Sequence, residues 1–246
     1  MSEPVDDLPT GVVVEVHSDT DDFVAAAAAR FTDVVRAAQA ARGSAAVVLT
    51  GGGAGIKLLE SLRSADVDFS RIDFYWGDDR FVPHDDAERN EKQAREALLD
   101  HVPVDPARVF PMSASDGEYP DPMEAAGMYD RLVAAVPAFD IHLLGMGGEG
   151  HVNSLFPRTD AVREQHSFVV AVLDSPKPPP SRITLTLHAV AKAREVWLLV
   201  GGAAKADAVA AALGGASPDE IPAAGAVGTE RTIWYLDDAA AANLRS

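Results

Sequence analysis

Four short stretches of this chain bring glycine together with ionisable side chains in ways that could do chemistry. The densest is Gly145-Met-Gly-Gly-Glu-Gly-His151, with four glycines in the six residues ahead of a histidine. Glycine at that density is costly unless the backbone must bend tightly or touch a ligand. A histidine closing such a loop is suited to acid–base work near neutral pH. Glu149, two residues earlier, could orient the imidazole or stabilise its charged form. The other six histidines lack this context. His142, for example, falls inside an apolar run and reads as a packed or hydrogen-bonded residue.

Thr50-Gly51-Gly52-Gly53 lies where a short apolar run gives way to helical spacing. Glycines let backbone N–H groups approach an anion, and a following helix N-terminus adds partial positive charge. A tight turn that needs positive φ would use the same residues. The stretch is not a Walker A loop, because no Gly-Lys-Ser/Thr follows at the required distance. Asp78-Asp79-Arg80 offers one guanidinium between carboxylates; Arg80 could hold a phosphate or a developing oxyanion, or simply form a surface ion pair. Residues 177–205 carry Lys177, Arg182, Lys192, Arg194 and Lys205 against one acid, Glu195. That local reversal suggests a pocket for a small anion, with Lys205 following Gly201-Gly202 at another helix start. Metal binding finds no support: there is no HExxH, no histidine pair at helical spacing and no EF-hand loop. Ser154 is not in a GxSxG elbow and reads as structural or hydrogen-bonding.

These stretches need elements to position them, and the pattern supplies strands. Gly11–Val16, Ala46–Leu49, Ile72–Trp76, Phe139–Leu144, Phe168–Leu173, Val196–Val200 and Ile233–Leu236 read as strands, and Arg182–Leu187 alternates as a half-exposed strand would. Val24, Ala27, Ala28, Phe31, Val34, Val35 and Ala38 form one helical face, stopped at Gly43. Further helices are expected from Ile56, over Asn90–Leu99 and Met123–Val136, after Gly202, and over Ala239–Leu244. His101–Pro122 is Pro-rich and irregular, with a short strand near Val109, and residues 174–181 form a stiff loop. Strands that alternate with helices and are often wholly apolar indicate an α/β protein whose mainly parallel sheet is covered on both faces. With no internal repeat and no long linker, residues 1–246 read as one domain. In such sheets ligands gather beyond the carboxyl ends of strands, and all four glycine-containing stretches sit at such ends.

Composition narrows the partners. The 246 residues include 21 Lys+Arg and 38 Asp+Glu, a formal net charge of −17. That balance argues against nucleic acid and anionic membranes. Cysteine is absent, which removes disulfides, thiolate metal sites and cysteine nucleophiles together. No apolar run approaches the ~20 residues of a membrane span, and the acidic start, MSEPVDDLPT, has no hydrophobic signal core. The expectation is a cytoplasmic monomer with no cofactor or metal, no nucleic acid and no membrane among its partners.

Taken in order, the stretches resemble the 6-phosphogluconolactonase family. The resemblance rests on Leu49-Thr-Gly-Gly-Gly53, Trp76-Gly-Asp-Asp-Arg-Phe-Val-Pro83, the run from Phe139 through Gly145-Met-Gly-Gly-Glu-Gly-His-Val-Asn-Ser-Leu-Phe-Pro157, Arg182-Ile-Thr-Leu-Thr186 and Val200-Gly-Gly-Ala-Ala-Lys205, and it covers nearly the whole length. It implies a Rossmann-like three-layer α/β/α fold. It also implies hydrolysis of 6-phospho-D-glucono-1,5-lactone to 6-phospho-D-gluconate in the oxidative pentose phosphate pathway. In that reading His151 is the general base, Glu149 its electrostatic partner and Arg80 an oxyanion stabiliser. Thr50, Gly51, Gly52, Gly53, Asp78, Asn90, Arg182 and Lys205 bind the substrate or its phosphate. Three positions depart from the family pattern: Asp79 stands for a usual Glu, Glu149 for a usual Asp, and Arg89 for a usual Ser before Asn90. The alternative is a sugar-phosphate deaminase or isomerase of the glucosamine-6-phosphate type, which shares the fold. Those enzymes continue after the histidine with a Phe-Asn-Glu-Pro type sequence, whereas His151 is followed here by Val-Asn-Ser-Leu-Phe-Pro157.

Overall fold

Strand–helix alternation along the chain builds one parallel sheet in the computed structural model, which describes residues 11–244. Its strands are β1 (Val12–His17), β2 (Ala45–Leu49), β3 (Ile72–Trp76), β5 (Phe139–Gly145), β8 (Ala193–Val200) and β9 (Arg231–Asp237). They lie in the order β1-β9-β8-β5-β2-β3, each neighbouring pair parallel. Parallel neighbours require crossovers, and helices α1 (Thr20–Arg42), α2 (Gly53–Ser61), α3 (Asn90–Ala94), α4 (Pro122–Ala135) and a later helix at Ala206–Leu213 serve as connections. The central strands β5 and β8 are buried at nearly every position, as the inner strands of a sheet covered on both faces must be. The expected α/β architecture with a mainly parallel sheet is the one observed.

Local signals explain the helix ends. The Asp19 carboxylate accepts the Asp22 N–H at the start of α1, and Gly43, at φ 85°, closes it in the left-handed region. Phe23, Val24, Ala27, Phe31, Val35 and Ala38 face the core; Ala28 and Val34 of the expected face lie at its margin. The helix expected over Asn90–Leu99 is α3 followed by a wider π-type turn over Arg95–Leu99.

Three expectations need correction. Asp78–Arg80, read as the end of the Ile72–Trp76 strand, is a strand of its own, β4, which with β6 (Val169–Val172) and β7 (Arg182–Leu185) makes a separate antiparallel sheet in the order β4-β7-β6. β7 is not half-exposed: it is the middle strand and wholly buried. Its threonines tolerate burial because their hydroxyls are satisfied nearby. Thr184 accepts the Ser154 N–H and donates to the Leu185 carbonyl, and Thr186, just beyond the strand, donates to the Ser167 carbonyl. The stretch Ala239–Leu244 forms turns, not a helix. The acidic N-terminus read for a signal segment lies outside the described residues. Among those described, no helix is long and apolar enough to cross a membrane.

The carboxyl ends of β8, β5, β2 and β3, four consecutive strands, carry the four glycine-containing stretches. β3 is the edge of the sheet, and Tyr129 of α4 seals it. Its buried hydroxyl accepts the Trp76 N–H at 3.0 Å and donates to the Phe110 carbonyl at 2.9 Å. Tyr129→Phe strands that N–H in the interior. The expected outcome is a loss of about 1–3 kcal/mol of stability in urea unfolding with the fold retained; an unchanged midpoint would contradict the role assigned to this hydroxyl.

Candidate active site

The chain leaving β2 turns through Thr50-Gly51-Gly52 into α2, with Gly52 at φ 81°. A Cβ at Gly51 would stand 2.2 Å from Oδ1 of Asn90, so only glycine admits that side chain against the turn. Asn90 is 3% exposed, and its Nδ2 donates to the Asp78 carbonyl at 2.8 Å and the Asp78 carboxylate at 3.1 Å. Ser154 donates to the other Asp78 oxygen at 2.6 Å, the hydrogen-bonding role its sequence context suggested. Asp79 points away from the cleft. Its carboxylate accepts the N–H groups of Arg80, Asn90 and Glu91 and pairs with the buried Arg89 at 3.1 Å. Burial pushes Asp79 up, to about 6, against the pull of the Arg89 guanidinium. Arg80 donates to the Glu88 carbonyl at 2.5 Å, while its Nε is buried without a partner.

Beyond β5 the backbone folds back on itself, with Gly147 N–H on the His151 carbonyl at 2.9 Å and Gly150 N–H on the Gly147 carbonyl at 3.0 Å. A Cβ at Gly147 would fall 1.9 Å from Nδ1 of His151. The imidazole stacks on Phe156, ring centroids 4.6 Å apart, and its Nδ1 lies 3.1 Å from Glu149 Oε1. The longer Glu149 side chain therefore still reaches the histidine. A carboxylate at that distance favours a proton on Nδ1. Burial, then the neighbouring Lys177 ammonium, hold His151 below its ordinary value, with Glu149 opposing. Burial alone would raise Glu149, but the hydrogen bond from Lys177 and the charges around it hold it at about 2.

Lys177, one of the five bases expected around a small anion but absent from the residues the resemblance implies, stands against the histidine. Its Nζ stands 2.8 and 3.0 Å from the two Glu149 oxygens and 3.5 Å from His151 Nδ1. The loop that carries it is held by Arg182, which donates to the carbonyls of Lys177, Pro178 and Pro179 and, at 3.4 Å, to Ser154 Oγ. Lys205 follows Gly202, whose N–H is bound by the Asp237 carboxylate at 2.9 Å. Burial, then Lys177, depress Lys205, and its ammonium has no carboxylate partner among the described residues. Of the five bases expected to form an anion pocket, Lys177, Arg182 and Lys205 do so. Lys192 instead caps α4 through the Val133 carbonyl, and Arg194 pairs with Glu230.

Thr50, Gly51, Gly52, Asp78, Arg80, Asn90, His151, Arg182 and Lys205 all line one polar cleft of about 210 Å³, joined by Lys177, Asn153 and the 145–147 backbone. Gly53 opens α2 just behind the turn, and Glu149 stands behind the imidazole, so neither forms the wall itself. Asn153 was not foreseen; its backbone lies in the left-handed region, at φ 49°. His142 is fully buried and packed edge-on to Phe139, without a hydrogen-bond partner, and burial lowers it to about 3. A larger cavity of about 340 Å³ beside Phe110, Tyr119 and Met128 has no cation in its wall and does not suit an anion. Among the described residues, no three acids or histidines converge as a metal site.

This fold and cleft define a class. Residues 18–234 match the family model described as glucosamine-6-phosphate isomerases/6-phosphogluconolactonase, and the chain belongs to that family. It is 56% identical over 241 residues to the 6-phosphogluconolactonase of Mycobacterium leprae, covering 94% of this chain and 98% of that one. It is 52% identical over 243 residues to the 6-phosphogluconolactonase of Streptomyces coelicolor, covering 93% of each. The 6-phosphogluconolactonase structure from Trypanosoma brucei superposes with a TM-score of 0.85 at 26% identity, covering 97% of this chain and all of that one.

The close approach at Gly147 gives a direct test. Gly147→Ala is expected to fold but to push the imidazole off Phe156, visible in a crystal structure of the variant; a ring left in its stacked position would contradict the geometry described.

Proposed function

We propose that this chain hydrolyses 6-phospho-D-glucono-1,5-lactone to 6-phospho-D-gluconate in the oxidative pentose phosphate pathway, with His151 as the general base. The observation that carries the reading is a single cleft lined at one side by His151 and at another by the Thr50-Gly51-Gly52 turn and Lys205. The family and its close relatives supply the reaction class. The alternative deaminase chemistry has no observation in its favour beyond the shared fold.

A lactone carbonyl is already an activated ester, so water suffices as nucleophile. His151 Nε2 takes the proton from water as it attacks C1, and the imidazolium so formed then protonates the departing ring oxygen. Glu149, on Nδ1, stabilises that imidazolium. The tetrahedral oxyanion is met by Arg80 or by the N–H groups of the 145–151 backbone. At the far end, the N–H groups after Thr50, backed by the start of α2, receive the phosphate. Lys205, without a carboxylate partner among the described residues, supplies the charge. Arg182 adds its own charge while most of its donors stay on the loop carbonyls. Asp78 and Asn90 hold the sugar between the two ends. Binding the phosphate spends its energy on placing C1 against the water. Because burial keeps His151 below its ordinary value, the imidazole is largely neutral, and so competent as a base, at pH 7. One hydrophobic cluster runs beneath both sheets, so we read the chain as a single domain, and we propose that it acts as a monomer on a phosphorylated cytoplasmic substrate.

His151→Ala should lower kcat by roughly 10²–10⁴-fold while the circular dichroism spectrum stays unchanged; near-normal turnover of freshly generated lactone would refute the base assignment. Lys205→Ala should chiefly raise KM for the phosphorylated lactone and narrow its advantage over gluconolactone without phosphate. An advantage of undiminished size would place the phosphate elsewhere.

A further inference from the structure

Lys177 is not needed to abstract the proton, yet it occupies the place from which the base is controlled. Glu149 is shared: its carboxylate lies 2.8 Å from the Lys177 ammonium and 3.1 Å from the His151 imidazole. The Lys177 backbone is fixed, its carbonyl held by Arg182 and its N–H by Ser175 Oγ. Its side chain is nearly half exposed, at 46%, so the ammonium can move while its stem stays. The same cleft holds Lys205, a second ammonium whose repulsion an anion placed near both would relieve.

We infer that Lys177 is a positioning residue acting through Glu149: in the empty cleft it competes with His151 for that carboxylate, and an anionic substrate draws the ammonium away and leaves Glu149 to the imidazole. The base is thus strengthened by the substrate it serves. The inference rests on the reading of His151 as base. The other charges around the imidazole fit it. Asp78 favours the protonated ring. Arg80, Arg182 and Lys205 share the cleft, but among the described residues only Glu149 and Lys177 stand within ion-pair or hydrogen-bond reach of Nδ1.

The test is an NMR titration of the His151 ring, assigned by the signal missing from His151→Gln, in the wild type, Lys177→Met and Lys177→Arg, each with and without 6-phosphogluconate. Removing the ammonium should raise the midpoint in the ligand-free protein by about 0.5 unit or more. The ligand should raise the wild-type midpoint clearly and that of Lys177→Met much less, with Lys177→Arg close to wild type. The acid limb of kcat/KM should move with the ligand-free midpoint. A ligand-free midpoint in Lys177→Met equal to wild type, or an equal response to ligand in both, overturns the inference. Failure of the underlying reading is separable: a fully active His151→Gln would remove the base assignment while the titration still reported the coupling. An unmoved midpoint beside an inactive His151→Gln would remove only the role of Lys177.

Discussion

Two adjacent buried carboxylates hold this site together. Asp78 and Asp79 are 7% and 1% exposed, and a carboxylate so deep in the protein is tolerated only if its lone pairs are met. Asp78 is met from the loop after β5, by Ser154, and from the start of α3, by Asn90. Asp79 is met by the N–H groups that open α3 and by Arg89, which also donates to the Met112 carbonyl. Successive residues of a strand face opposite ways, so one dipeptide holds the start of α3 from two sides, and through Asp78 also fastens the loop after β5. The position of Asn90 against Gly51, and with it the shape of the anion turn, follows from that fastening. Arg89, standing where the family pattern has a serine, extends it into the irregular segment near Met112.

The electrostatics divide by distance. The chain as a whole carries −17, which repels an anionic ligand at long range, but free charges are screened beyond about 8–10 Å at physiological ionic strength. Inside the cleft the near field is set by Arg80, Lys177, Arg182 and Lys205. Their carboxylate neighbours among the described residues differ: Glu88 beside Arg80, Glu149 beside Lys177, Asp78 near Arg182 and none paired with Lys205. In the proposed function the ammonium of Lys205 anchors the phosphate and that of Lys177 responds to its arrival. The His151 ring lies mostly buried beside the Glu149 carboxylate, 3.1 Å away.

Much of this was legible in the residues themselves. Apolar runs located the sheet strands, and the position of glycine and charge at their ends located the cleft, because in a parallel sheet those ends share one side. What escaped the reading depended on contacts between distant residues. Asp78–Arg80 is a strand only because β7 pairs with it from about a hundred residues further on; three charged or polar residues carry no such signal locally. β7 looked half-exposed because Thr184 and Thr186 are polar, and their hydroxyl partners lie on segments the pattern could not bring near. Lys177 stood out only as one base among five. Its membership of the site follows from the Arg182 clamp on its loop and from Glu149, 28 residues earlier. The turns at 239–244 looked helical because alanine favours helix wherever it stands, and a run this short gains too few hydrogen bonds to form one without help from packing.

The central claim is spatial: one sugar phosphate spans the distance from the imidazole to the anion turn. A crystal structure with bound 6-phosphogluconate tests it most directly. The account predicts the phosphate on the Gly51–Gly53 N–H groups and Lys205, with the C1 carboxylate beside Nε2 of His151. A ligand bound in the reverse direction, or with its phosphate outside the cleft, would contradict it.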